Sequence, residues 1–287
     1  MTTKRSVLIT GLARDVGEGI AREVRRLEKA FQNFDEIFFF IVESDSEDDT
    51  VSELERIRSS QENFDFVTLG SLRNKIPDRV TRIAFCRDVY MDELRTNSKY
   101  QDISFICMVD LDLENDFLTS VGIESCFTNL DWCGLFANQR GAYYDIFALR
   151  AENWSENNCW DSDRILREQG VNPYISQHIA VYSKRRRIKT NAPWIPVQSA
   201  FGGLGIYKRS CIANLTYQST SLAQSGECEH VSFNSQLINN NHKLFINPKL
   251  VNYSWNNHNN SERFLNRYKR RIRVLLTFFR QYFMNYE

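Results

Sequence analysis

Four apolar runs of strand length, separated by segments of helical period, fill the chain through Val109 and restrict it to an alternating α/β fold. Ser6–Thr10 reads as a buried strand. Gly17–Phe34 carries Ile20, Val24, Leu27 and Phe31 on one stripe, as an amphipathic helix does. Glu36–Val42 is almost wholly apolar, which fits a strand covered on both faces. Ser44-Asp45-Ser46 supplies loop and cap residues before a helix near Thr50–Ser59. Phe64–Leu69 is a third strand, Pro77 opens a long helix through Leu94, and Ile103–Val109 is a fourth strand. This order predicts a parallel sheet with right-handed crossovers and a ligand crevice beyond the carboxyl ends of the strands.

The second half is less regular. Trp132–Ala137 and Ala142–Leu149 read as strands around Asn138-Gln139-Arg140-Gly141. Gly202-Gly203-Leu204-Gly205 marks a tight turn, and Glu229–Asn239 a helix. No internal repeat is present. Residues 1–262 read as one catalytic-size domain, and 263–287 as a separate C-terminal amphipathic helix. That tail holds seven Lys/Arg against one Glu, with Phe264, Tyr268, Ile272, Leu275, Phe279 and Phe283 at helical spacing. A basic amphipathic helix of this kind suits packing on the domain or peripheral contact with an anionic membrane.

Charge and cysteine usage narrow the class further. The 36 Lys+Arg balance 36 Asp+Glu, so the surface as a whole is no polyanion binder, and nucleic acid is not an expected partner. No apolar run approaches a membrane span or a signal-peptide core. The seven cysteines show no Cys-x-x-Cys pair, which predicts reduced thiols and a cytoplasmic protein, with peripheral contact at the membrane's cytoplasmic face left open by the tail.

Two constellations compete for the chemistry. Gly11, Gly17 and Gly19 after a strand invite a dinucleotide reading, but five residues separate the first two glycines. A nicotinamide oxidoreductase of the short-chain type also needs Tyr-x-x-x-Lys, and no Tyr here has Lys four residues later. Asp110-Leu111-Asp112 is the stronger signal. Two carboxylates at i and i+2, where a strand gives way to a loop, can both approach Mg²⁺ or Mn²⁺, ions that also bridge a diphosphate.

Several further segments occur in a consistent order with that pair. They are Leu12-Ala13-Arg14-Asp15, Glu43-Ser44-Asp45-Ser46-Glu47-Asp48-Asp49-Thr50 and Arg82-Ile83-Ala84-Phe85-Cys86-Arg87-Asp88. Beyond the pair come Asn138-Gln139-Arg140-Gly141-Ala142-Tyr143-Tyr144-Asp145, Ser199–Tyr207 and Cys228-Glu229-His230. Together they make the chain resemble the GT-A-fold nucleotide-sugar glycosyltransferases, and most nearly the fungal capsule-associated α-1,3-mannosyltransferases and related bacterial capsule and O-antigen enzymes. Ser44 and Asp88 stand where that group usually has Asn.

The resemblance implies a GT-A-like fold, a Rossmann-type nucleotide-binding half with a mixed central sheet. It implies transfer of a sugar from a nucleotide-sugar donor to a glycan or lipid-linked acceptor in surface polysaccharide assembly. It also implies that Asp110 and Asp112 hold Mn²⁺ or Mg²⁺, with His258 as a third metal ligand. Thr10, Arg14, Glu43, Asp45, Arg87, Asp110, Gly202 and Gly203 are the implied donor-binding residues. Glu229 is the implied catalytic base, or an acceptor ligand if the reaction retains configuration. A catalytically silent sugar-nucleotide-binding scaffold on the same fold is the alternative.

Overall fold

A computed structural model describes residues 4–112, 115–217 and 226–254. The expected tail helix and His258 lie outside these residues.

Among the described residues, eight strands form one mixed sheet in the order β3-β2-β1-β4-β7-β5-β8-β6. Strands β1 (Ser6–Ala13), β2 (Glu36–Glu43), β3 (Phe64–Thr68) and β4 (Phe105–Val109) run parallel to one another. The order 3-2-1-4 is that of a doubly wound nucleotide-binding half. Helices α1 (Gly17–Ala30), α2 (Thr50–Ser60) and α3 (Arg79–Thr96) connect them. The predicted α/β fold is therefore present, with elements close to where periodicity placed them.

Alternation along each strand divides the core. Val7, Ile9, Phe39 and Ile41 pack with Ile20, Val24 and Leu27 of α1 on one face of the sheet. Leu8, Phe38, Phe40, Ile106 and Met108 pack with Ala84, Tyr90, Met91 and Leu94 of α3 on the other.

After α4 (Ser120–Glu124) the sheet changes direction. Strand β5 (Gly134–Arg140) is separated by α5 (Cys159–Glu168), α6 (Pro173–Ala180) and β6 (Ile195–Val197) from β7 (Leu204–Lys208), which runs antiparallel between β4 and β5. The chain continues through α7 (Arg209–Ile212) and α8 (Glu229–Asn239) to β8 (Leu244–Ser254), parallel to β5 and antiparallel to β6. Because β7 is reversed, its first residue lies at the sheet end where β4 finishes.

Two sequence expectations fail here. Ala142–Leu149 is not a strand. The Asp145 carboxylate accepts from Ala148 N–H at 3.2 Å and Gly202 N–H at 2.9 Å, which folds the segment into a buried loop. Its apolar residues face the core without pairing in a ladder, apart from one bridge between Ala142 and Arg187. Nor are all thiols reduced. Cys133 and Cys211, 78 residues apart, are joined as a disulfide, while Cys86, Cys107, Cys126, Cys159 and Cys228 are free and buried.

Candidate active site

The candidate site is built where β4 ends and β7 begins. Asp110 N–H donates to the Gly203 carbonyl at 2.9 Å, so the first aspartate is pinned directly to the glycine turn. Gly202 and Gly203 have φ of +67° and +84°. A Cβ on Gly202 would stand 2.5 Å from Gln139 Nε2 and 2.8 Å from the Ala137 carbonyl, so glycine is required by both backbone and space. Asp112, two residues on, is exposed.

Helix α3 brings Arg87 beneath this pair. Residues 84, 87, 91 and 94 share one helical face, and Ala84, Met91 and Leu94 are fully buried. Arg87 is carried into the core with them and is 4% exposed. Its Nη1 donates to Tyr90 Oη at 3.2 Å. Nη2 stands 3.7 Å from Asp110 Oδ1 and Nε 3.4 Å from Glu229 Oε1. The guanidinium also lies over the rings of Phe201, at 5.2 Å, and Tyr217, at 5.7 Å. Burial works against its charge, but Tyr90, Tyr217, Glu229 and Asp110 outweigh that and hold it protonated.

Glu229 is the first residue of α8 and 8% exposed. A carboxylate is favoured there by the helix dipole. His230 beside it is 2% exposed, stacked on Phe201 at 3.8 Å, with neither ring nitrogen hydrogen-bonded. Burial, and then Arg87, keep this imidazole neutral.

Carboxylates therefore crowd around one buried cation. Burial raises the Asp110 carboxyl well above the usual range; Arg87 pulls it back, while Asp112, Asp145 and Glu229 push it further up. Asp145 is raised by burial too, against the two N–H groups that it accepts from. Negative charge is in excess, and Arg87 Nε lacks a hydrogen-bond partner. Such a set is short of positive charge, which a cation beside the aspartates would supply.

The structure gathers Arg87, Asp110, Gly202, Gly203 and Glu229 in one place. It does not do so for all expected residues. Thr10 is fully buried in β1, and its hydroxyl donates to the Phe40 carbonyl at 2.7 Å, which removes it from ligand contact. Glu43 is also buried. Its oxygens accept from Ser46 N–H at 3.0 Å and from the Thr68 hydroxyl, so it shapes the loop after β2. Asp45 accepts from Arg73 N–H at 2.9 Å and faces Arg82 at 3.3 Å, again as a loop anchor. Arg14 remains exposed after β1, 3.4 Å from Asp15.

Tyr90 and Tyr217 carry no mark of a site in the sequence, whereas Asp145 closes one of the segments that carry the resemblance. The signal for burial of Arg87 was present: its place on the apolar stripe of α3.

The N-terminus of α1 answers the dinucleotide reading. Asp48 accepts from Gly17 N–H at 3.0 Å, and Thr50 Oγ1 from Val16 N–H at 2.8 Å. The donors that would hold a pyrophosphate are occupied by the chain's own side chains.

No protein-family model matches the chain, and no curated protein matches it. Solved structures do. A mannosyltransferase from Pyrobaculum calidifontis, in complex with GDP-Man and Mn²⁺, is 11% identical with a TM-score of 0.48, over 88% of this chain and 57% of that one. S. aureus TarS in complex with UDP-GlcNAc is 13% identical with a TM-score of 0.44, over 87% and 58%. Glucosyl-3-phosphoglycerate synthase from Mycobacterium tuberculosis, with Mn²⁺, UDP and glucosyl-3-phosphoglycerate, is 11% identical with a TM-score of 0.41, over 87% and 69%. The chain thus spans under two thirds of the first two proteins. At these values the similarity is a loose one of fold, and the site stands on its own geometry.

Proposed function

We propose that this chain is a metal-dependent glycosyltransferase that moves a sugar from a nucleotide-sugar donor to a hydroxyl of a glycan or lipid-linked acceptor. The observation that carries this reading is the meeting of Asp110 and Glu229 around buried Arg87, with Asp112 exposed two residues on, at the carboxyl end of a nucleotide-type parallel sheet.

The donor set fits a hard divalent cation. It is all oxygen, its carboxylates repel one another, and one of them is exposed. Asp110 and Asp112 would hold Mn²⁺ or Mg²⁺, which when bound neutralises charge on a diphosphate. Arg87 is fixed by Tyr90 and keeps a directed positive charge toward the same place. Arg14 offers a second, exposed guanidinium from the loop after β1. Gly202 and Gly203 let the backbone approach a sugar without a Cβ between.

Glu229 is placed to accept the proton of the attacking hydroxyl. Its buried carboxylate is aligned by Arg87 Nε at 3.4 Å and, through Oε2, by Cys228 Sγ at 3.6 Å. Replacement Glu229→Gln is expected to lower kcat by about 10²–10⁴ with little change in donor affinity. Steady-state kinetics with donor and acceptor varied separately check this. A rise confined to the acceptor KM would make Glu229 an acceptor ligand instead.

A role in surface polysaccharide assembly belongs to the same proposal, as does a membrane-peripheral tail. Among the described residues no helix is long and apolar enough to cross a membrane. Residues 263–287 carry a net charge of +6 beside an apolar helical stripe. The full chain is expected to float with anionic liposomes and to be released by high salt. A chain ending at Glu262 should lose that binding and keep donor binding. Equal flotation of both chains would defeat the membrane role of the tail.

A further inference from the structure

At the sheet end opposite the aspartates, two ladder pairings among three strands bring two sulfurs and an imidazole together. Cys133 immediately precedes β5, Cys211 lies in α7 just after β7, and His242 comes two residues before β8. Gly134 pairs with Tyr207 of β7 on one side and with Leu244 of β8 on the other. Cys133 itself is tied to both flanks: its carbonyl accepts from Lys208 N–H at 3.1 Å, and its N–H donates to the Lys243 carbonyl at 2.8 Å. The ligand atoms of Cys133, Cys211 and His242 all lie within 4.8 Å of one another. Cys133 is buried, and the other two are half-buried. Among the described residues nothing hydrogen-bonds the His242 ring.

We propose that reduced Cys133 and Cys211, with His242, form a zinc site whose fourth position is open to water, and that the disulfide is its oxidised, metal-free form. Zn–S bonds of about 2.3 Å and Zn–N bonds of about 2.0–2.1 Å put tetrahedral ligand atoms within this cluster's span after a small separation of the sulfurs. Two thiolates and an imidazole are soft enough to select zinc over the hard cations suited to Asp110 and Asp112. The five free cysteines of the same chain show that thiols and a disulfide coexist in it.

Interconversion balances simply. A dithiol reductant delivers two electrons and two protons to the disulfide, becomes a disulfide itself, and leaves two thiols. Zinc then displaces the two thiol protons and takes the neutral imidazole as its third ligand. Bound there, the ion clamps β5, β7 and β8 at their shared end. It stands about the length of β7, on the order of 15 Å, from the aspartates.

Cobalt titration of the full chain tests the site. After reduction with a phosphine and removal of the reductant under nitrogen, Co²⁺ should bind with a thiolate-to-cobalt charge-transfer band and tetrahedral d–d bands. Zinc should abolish both. The oxygen ligands of the aspartate site cannot give the thiolate band, so the two sites are read separately. Cys211→Ser should remove the band. His242→Ala changes a half-buried ring with no hydrogen bond and should weaken cobalt binding at least tenfold, with circular dichroism confirming the fold. Oxidised chain should show no thiolate band. A reduced chain without the band overturns the proposal, as does a band that survives in the oxidised chain or in Cys211→Ser, or cobalt affinity unchanged in His242→Ala.

Discussion

Arg87→Met is expected to destabilise the protein by about 3 kcal/mol, because it leaves buried carboxylates without their cation. For a chain of this size that corresponds to a fall in melting temperature of roughly 6–12 °C. Activity should vanish as well, since the same side chain aligns Glu229. Arg87→Lys keeps a charge but loses the planar fork, so it should recover part of the stability and little of the activity. Differential scanning calorimetry separates these effects. A methionine variant melting within a degree of wild type would mean that Asp110 and Glu229 do not depend on Arg87.

The second large effect concerns the aspartates and has the opposite stability sign. Burial pushes the Asp110 carboxyl up to about 7, so ionising it costs stability that grows as pH rises from the ordinary carboxylate range and is complete only above about 7. Asp110→Asn removes that charge and should leave the melting temperature unchanged or slightly higher, the loss of Arg87's partner offsetting part of the gain. Asp112→Asn, at an exposed position, should change stability by less than about 0.5 kcal/mol. Both should nevertheless abolish Mn²⁺-dependent donor binding. Charge retained at a stability cost is the signature of a residue kept for function. Undiminished donor binding in either variant, with metal still required, removes that residue from the metal site. Loss of binding accompanied by unfolding would make it structural.

The first half of the fold was legible because each element there carries one clear pattern, a continuous buried run for a covered strand or a helical stripe. Strands β1 and β2 are apolar throughout, and α1 has its stripe. Asp110-Leu111-Asp112 was legible because polarity changes abruptly at the end of a buried strand. What escaped the sequence depended on long-range partners. Ala142–Leu149 looks like a strand because buried loops and buried strands are equally apolar; only the Asp145 bonds to Ala148 and Gly202 decide between them. Glu43 and Asp45 read as donor ligands because their segment resembles the nucleotide-sugar glycosyltransferases. Their partners, Thr68, Arg73 and Arg82, come from elsewhere in the chain. Cys133 and Cys211 meet only because β5 pairs with β7, a pairing that no spacing rule predicts.

The most direct test is calorimetric titration of the full chain with UDP-, GDP-, CMP- and dTDP-sugars, each with Mn²⁺ and with EDTA. The account predicts that at least one donor binds with Mn²⁺, that EDTA eliminates this binding, and that Asp110→Asn and Asp112→Asn eliminate it while remaining folded. Ligand at 100 times its Kd should also stabilise the wild type by about 2.7 kcal/mol. A chain that binds none of the four donors in the presence of Mn²⁺, or binds one equally well in EDTA, contradicts the claim that these aspartates form a metal-dependent nucleotide-sugar site.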